Sequence, residues 1–184
     1  MDTILQWDQA LFQAMNQELQ NSFFDLLLPI WRNKYTWIPA YILLIWFLLK
    51  QLGRKGGFII LAAVLTIAIA DTLSSKVLKK SIQRLRPCKT ELIKAEVHLL
   101  VPCGSGYSFP SSHATNHFAL AVFLISLLGT QFSKIKVPLL LWASLIAIAQ
   151  VYVGVHFPFD VLVGALLGSL VGLATARIFK LLWR

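Results

Sequence analysis

Lys79-x6-Arg86-Pro87, Pro110-Ser111-Ser112-His113 and His156-x3-Asp160 are the places in this sequence where side chains fit for chemistry gather. Lys79 and Arg86 are two fixed cations. Their spacing is close to two helical turns, which sets both on one side if a helix runs that far, and Pro87 discourages its continuation. Such a pair suits an anion, and arginine grips phosphate oxygens with two parallel hydrogen bonds. Taken alone, Lys76, Lys79, Lys80, Arg84 and Arg86 also read as basic residues snorkelling towards anionic lipid. The second cluster opens an apolar stretch. Serine is a favoured helix cap, a first helical turn exposes amides to an anion, and His113 stands where it can move a proton. In the third cluster, helical spacing sets the Asp160 carboxylate one turn below the His156 imidazole, fixing its tautomer and raising its basicity. A neutral histidine held that way is a nucleophile. His156, Asp160 and His113 are also three potential metal ligands, but the lysines and arginines nearby disfavour a cation.

The elements that must position these groups are membrane helices. Of the 184 residues 57% are hydrophobic and 14% charged, and the mean hydropathy of +0.69 lies outside the range of soluble domains. No linker, charge run or repeat divides the chain, so one domain over residues 1–184 is expected, with its motifs in 79–160. The first residues carry Asp2 and Asp8 without a basic region ahead of an apolar core, which is not the pattern of a cleavable signal peptide. Apolar stretches at 37–49, 57–78, 114–130, 137–153 and 159–182 read as five crossings, the first of them short. All must be helices, because lipid satisfies no open backbone group. Ahead of them Ile4, Leu5, Trp7, Leu11, Phe12 and Met15 recur at helical spacing among polar residues, which suits an interfacial helix, and 23–31 is a second short piece of that kind. The expected fold is an all-α integral membrane protein, a bundle of five to six transmembrane helices with an N-terminal interfacial helix.

Five crossings bring all three clusters to one face. The other face carries Lys50, Arg54, Lys55, Lys134, Lys136, Arg177, Lys180 and Arg184 in short connections and span ends, with no acid, and this concentration favours it as cytoplasmic. Cys88 and Cys103 bracket the loop between the second and third spans. A disulfide there belongs to an oxidising compartment and closes a loop worth about 3 kcal/mol in the chain-entropy account. Both lines place the clusters outside the cytoplasm, on the periplasmic side of an inner membrane where the cell has two.

Taken in order, the clusters resemble the pattern of the type 2 phosphatidic acid phosphatases (PAP2): Lys-x6-Arg-Pro, Pro-Ser-Gly-His and Ser-Arg-x5-His-x3-Asp. The first is complete here, the second has Ser112 in place of glycine, and the third reads Ala149-Gln150 where Ser-Arg would stand. The resemblance implies a lipid phosphatase that needs neither metal nor other cofactor and has a membrane lipid phosphate, not a nucleic acid, as its partner. It implies that His156 forms a phosphohistidine, that Asp160 orients it, and that His113 protonates the leaving group and later activates water. Lys79, Arg86, Ser111 and the amides near Ser112 would hold the phosphoryl oxygens. Undecaprenyl diphosphate is the favoured substrate, with phosphatidylglycerophosphate and lipid A 1-phosphate as others. Gln150 removes a cation that would stabilise charge in the transition state. Its amide still donates hydrogen bonds, Lys76, Lys80 or Arg84 are candidates to restore the charge, and Gln150→Arg is expected to leave activity in place. A lipid phosphotransferase and a non-catalytic lipid-binding or transport protein are the alternatives. Asp71, inside the second span, needs a partner, and an Asp71–His117 or Asp71–Ser/Thr network is expected. Arg32 and Lys34 lie on the face of the clusters, in reach of a headgroup or second phosphate.

Overall fold

In the computed structural model, which describes residues 2–183, the chain is helical throughout its ordered elements, with no strand among the described residues. Arg184, counted above among the basic residues of the far face, lies outside the described residues. Helix α1 (Asp2–Gln13) runs into a π-helical turn, Ala14–Glu18, and α2 (Ser22–Trp31) follows. Asn21 caps α2 by accepting from the Phe24 amide. Leu5, Trp7 and Leu11 of α1 are exposed, as an interfacial helix requires, whereas Asp8, Phe12 and Asn16 are buried against the rest of the chain. The face of this segment that carries Asp8, Phe12 and Asn16 therefore turns to the protein.

Helix α3 (Ile38–Asp71) is a hairpin and carries the first two expected crossings. It breaks at Gly53, whose φ of 53° and ψ of −127° lie in a region open to glycine and strained for other residues. Leu48 and Ile59 meet in one buried cluster, and Ile45 and Val64 line one groove, so the two arms run side by side. A π-helical stretch, Thr72–Leu78, leads into α4 (Lys79–Ile82). There the helix stops, because Gln83 turns left-handed at φ 54°. The sequence expectation of a helix carrying both Lys79 and Arg86 is thus corrected: Arg86 lies beyond the helix in extended backbone, at φ −73° and ψ 154°.

Helices α5 (Ser112–Leu128), α6 (Lys136–Tyr152) and α7 (Pro158–Leu182) are the remaining crossings. The stretches Lys34–Lys89, Ser133–Tyr152 and Pro158–Leu182 are long and apolar enough to cross a bilayer, and the hairpin makes the first cross twice. With 17 residues α5 is shorter, about 25 Å at 1.5 Å per residue. It packs on α3, α6 and α7 at once, so its neighbours, not its own length, span the hydrocarbon.

The tightest of these contacts joins α5 to α7. Gly164, Gly168 and Gly172 recur every four residues along α7 and face the backbone of α5, and a Cβ at Gly168 would fall 2.1 Å from the Thr115 carbonyl oxygen. Small residues at this spacing let membrane helices approach closely enough for dispersion to hold them. The Ser111 amide, just before α5, donates to the Asp160 carbonyl at 2.8 Å and locks the two helix starts together. At the opposite end Lys55 and Lys180 share a depression with Gln131.

Candidate active site

Pro158 opens α7 with a fixed φ, and Phe157 ahead of it is extended, so the chain enters this helix at a sharp angle. Asp160 in the first turn caps it, accepting from the Phe157 amide at 2.8 Å. The same Oδ2 accepts the Ser108 hydroxyl, while Oδ1 takes Arg84 Nη1 at 2.8 Å. His156 lies in the connection ahead of α7, so the cap geometry, not a helical turn as expected, brings it to Asp160. Its Nδ1 stands 3.4 Å from Asp160 Oδ2, an electrostatic contact rather than a formed hydrogen bond. Its Nε2 lies 3.2 Å from Arg86 Nη1. A guanidinium only donates, so Nε2 accepts and the proton sits on Nδ1, facing the carboxylate. Burial pushes the His156 imidazole down to about 4, with the Asp160 carboxylate pulling the other way. The ring is neutral at physiological pH, and the lone pair of Nε2 is engaged by Arg86.

The two cations of the first cluster are aimed by backbone carbonyls. Lys79 Nζ donates to the Tyr107 carbonyl at 2.8 Å, and Arg86 donates to those of Gly106 and Val155, each at 2.9 Å. A disulfide joins Cys88 to Cys103, 15 residues apart, and so ties the segment bearing Arg86 to the loop that supplies its acceptors.

Lys79, Arg86, Ser112, His113, Gln150 and His156 line one cavity of about 490 Å³, together with Arg32 and Asp71. Six of the eight side chains expected from sequence are therefore in its wall. Asp160 stands behind His156, fully buried. Ser111 is also fully buried, its Oγ without a partner among the described residues, and it does not line the cavity. Ser112 meets Ser74 Oγ at 3.1 Å and sits in the first turn of α5 with His113, where helical amides lack an intrahelical acceptor. Among the described residues no group of three His, Cys, Asp or Glu side chains is placed to hold a metal ion.

The three residues expected to replace the cation missing at Gln150 do not do so. Lys76 and Lys80 are exposed and outside the cavity wall. Arg84 is bound to Asp160 and to Asp8 of α1, and its guanidinium lies 4.2 Å from the centre of the Phe157 ring. The cation at Gln150 is Arg32, which donates to Oε1 through Nε at 3.2 Å and through Nη2 at 3.1 Å. Asp71 is also partnered differently from one of the two networks expected. It takes Asn116 Nδ2 at 3.0 Å and the Ser75 hydroxyl at 3.1 Å. His117 donates from Nδ1 to the His113 carbonyl at 2.7 Å instead.

Sequence reasoning passed over Asp8 and Ser108 as partners of Arg84 and Asp160, and it placed Arg32 on this face without its partner Gln150. A signal for Arg32 does exist: Asp25, Leu28 and Arg32 fall on one face of α2. Leu28 packs with Ala149, Tyr152 and Val153, and Asp25 accepts the Tyr152 hydroxyl at 2.7 Å.

The arrangement has parallels in known proteins. The chain is 33% identical over 157 residues to the lipid A 4'-phosphatase of Bacteroides thetaiotaomicron, covering 84% of this chain and 69% of that protein. It is 31% identical over 146 residues to the undecaprenyl-diphosphatase of Sulfolobus acidocaldarius, covering 79% and 65% of the two chains. The crystal structure of Aquifex aeolicus LpxE superposes with a TM-score of 0.67 at 28% identity, covering 92% of this chain and 94% of that one. A transmembrane PAP2-type phosphatidylglycerolphosphate phosphatase from Bacillus subtilis shares the fold, with a TM-score of 0.72 at 23% identity over 98% and 88% of the chains. The PAP2 superfamily model matches residues 57–184, the stretch that holds His113, His156 and both cations of the first cluster. With its motifs, its helices and most of its length accounted for in this way, the chain belongs to the PAP2 superfamily.

Proposed function

We propose that this chain, folded as one domain, is a metal-independent lipid phosphatase working through a phosphohistidine. That it is a hydrolase of lipid phosphates follows from its family and relatives. The observation that carries the mechanism is the polarised His156 ring, with Asp160 behind Nδ1 and an unprotonated Nε2 turned to Arg86 in a cavity lined by cations.

A phosphate entering the cavity offers Arg86 a charged acceptor stronger than an imidazole nitrogen, which frees Nε2. Nε2 then attacks phosphorus while the bond from phosphorus to the lipid oxygen breaks. His113 gives that oxygen a proton as it leaves. In the second half His113 takes a proton from water, whose oxygen attacks phosphorus, and the P–N bond breaks to release inorganic phosphate and restore His156. Lys79, Arg86, the Gln150 amide and the first-turn amides of α5 at Ser112 hold the phosphoryl oxygens throughout. Ser111 contributes by fixing the start of α5. The cations that favour the phosphate also repel a metal ion.

The substrate class is a lipid phosphate presented at the outer leaflet. Two relatives matched over most of their length are lipid A 4'-phosphatases, which moves the preferred substrate from undecaprenyl diphosphate to a lipid A phosphate. Undecaprenyl diphosphate stays second, on the Sulfolobus relative. The purified protein in detergent, given both lipids and phosphatidylglycerophosphate in EDTA, is expected to release phosphate, fastest from lipid A. His156→Ala should release none and form no base-stable phosphoenzyme. Release that depends on added metal, or that survives His156→Ala, contradicts the mechanism.

A further inference from the structure

Gln150 is fully buried in α6, and its amide orientation is forced. Arg32 contacts it through two N–H groups, so the atom facing Arg32 must be the acceptor Oε1. That leaves Nε2 buried with no partner among the described residues, a costly state unless something accepts from it. Arg32 and Gln150 both line the cavity that holds His156. Burial, and after it the Arg86 guanidinium, holds the Arg32 side chain below the ordinary arginine value. Two guanidinium groups facing one space, with an orphan amide donor beside them, define a place for an anion.

The position of Arg32 is not accidental to its helix. Leu28, one turn earlier, is buried against Ala149, Tyr152 and Val153, which bracket Gln150 on α6. Asp25, a further turn back, accepts the Tyr152 hydroxyl and lies 3.3 Å from His98 Nε2. One face of α2 is thus anchored at two points, and its C-terminus projects Arg32 over the glutamine. A cation at a helix C-terminus is further favoured by the helix dipole.

We infer that Arg32 of the interfacial helix α2 is a substrate-binding residue, the third phosphoryl-oxygen cation of the site, and that Gln150 is its clamp. The cation and its anchor have exchanged elements. Where the family pattern puts an arginine on the helix leading to His156, this chain keeps a carbonyl there and brings the guanidinium from α2, 118 residues away in sequence. The inference rests on the phosphatase reading above. Its consequence is that α2 must be docked on α6 for the site to be complete.

The test measures phosphate release from lipid A and undecaprenyl diphosphate in EDTA by wild-type, Arg32→Gln, Arg32→Lys, Gln150→Arg and Arg32→Gln/Gln150→Arg proteins. Arg32→Gln keeps a hydrogen-bonding group but no charge, and should lower kcat/KM by about 10²-fold or more, mostly in kcat, because charge on the phosphoryl oxygens changes in the transition state. Arg32→Lys should fall between, with a charge but no fork. Gln150→Arg alone sets two guanidinium groups against each other and should cost activity without abolishing it. The double variant restores one cation from α6 and should recover at least about tenfold over Arg32→Gln. Melting temperature and monodispersity of each variant, and stabilisation by inorganic phosphate, are read alongside. Phosphate should stabilise wild type and the double variant more than Arg32→Gln. If wild type releases no phosphate, the phosphatase reading fails. If wild type is active and a folded Arg32→Gln stays within about threefold of it, or the double variant shows no recovery, the role of Arg32 is overturned and the phosphatase reading stands. Should Arg32→Gln not fold, failure of a folded double variant to turn over substrate overturns it equally.

Discussion

The protonation of His156 sets the first prediction. Its depressed value means that the folded protein keeps the ring neutral down to about 4, whereas an unfolded histidine gains its proton near 6.5. As pH falls through that window the unfolded state binds more protons, so stability drops between about 6.5 and 4 and levels off below. Denaturation measured across that range should show the slope, and His156→Gln should make it shallower. For the same reason the acid limb of kcat/KM, corrected for ionisation of the substrate, should lie near 4 and not near 6.5. Asp160→Asn removes the charge that faces Nδ1 and Arg84, and one of the two oxygens that accept from Ser108 and Arg84. Activity should fall at least about 10²-fold while Lys79 and Arg86 still hold phosphate. The ratio of kcat to KM in that variant checks it.

Helices and loops decide whether those residues meet. The Cys88–Cys103 bridge holds Arg86 against the Gly106 carbonyl. Its removal in Cys88→Ser/Cys103→Ser should therefore act twice: a loss of stability of up to about 3 kcal/mol from the freed loop, and a rise in KM as Arg86 loses its acceptor. Reduction of the wild-type protein should reproduce both effects in a thermal melt and an assay. The α5–α7 contact is less forgiving. A methyl group at Gly168 would meet backbone, which has no rotamer to give. Gly168→Ala should destabilise by about 1–3 kcal/mol, and Gly168→Leu should prevent a monodisperse protein. These two helix starts carry His113 and Asp160, so parting them also parts His113 from the carboxylate that stands behind His156.

At the scale of the whole molecule, the cavity with its cations occupies one end and the basic residues of the hairpin tip and the C-terminal helix the other. We propose that the cavity faces away from the cytoplasm. Both native cysteines are bridged, so an introduced cysteine is the only free thiol and reports its own side. In right-side-out vesicles an impermeant maleimide should label Glu91→Cys at once and Lys55→Cys only after the membrane is opened. The reverse pattern would turn the site to the cytoplasmic leaflet.

The helical nature of the membrane segments and the gathering of three polar clusters at one end were legible in the sequence. Hydropathy sums along the chain, and lipid leaves the backbone no choice but helix. The pairing of His156 with Asp160 was legible too, because four residues of chain keep the two groups near each other in either a helical turn or a cap. The π-helical stretch before Lys79 left no comparable trace, since it depends on what packs around it. Neither did the division of labour among the arginines. Arg84, Arg86 and Arg32 carry the same charge, and only packing decides that the first is spent on Asp8 and Asp160, the second faces His156 and the third reaches Gln150. That assignment rests on contacts between α1, α2, α6 and α7, and contacts between distant segments exist only once the helices have met.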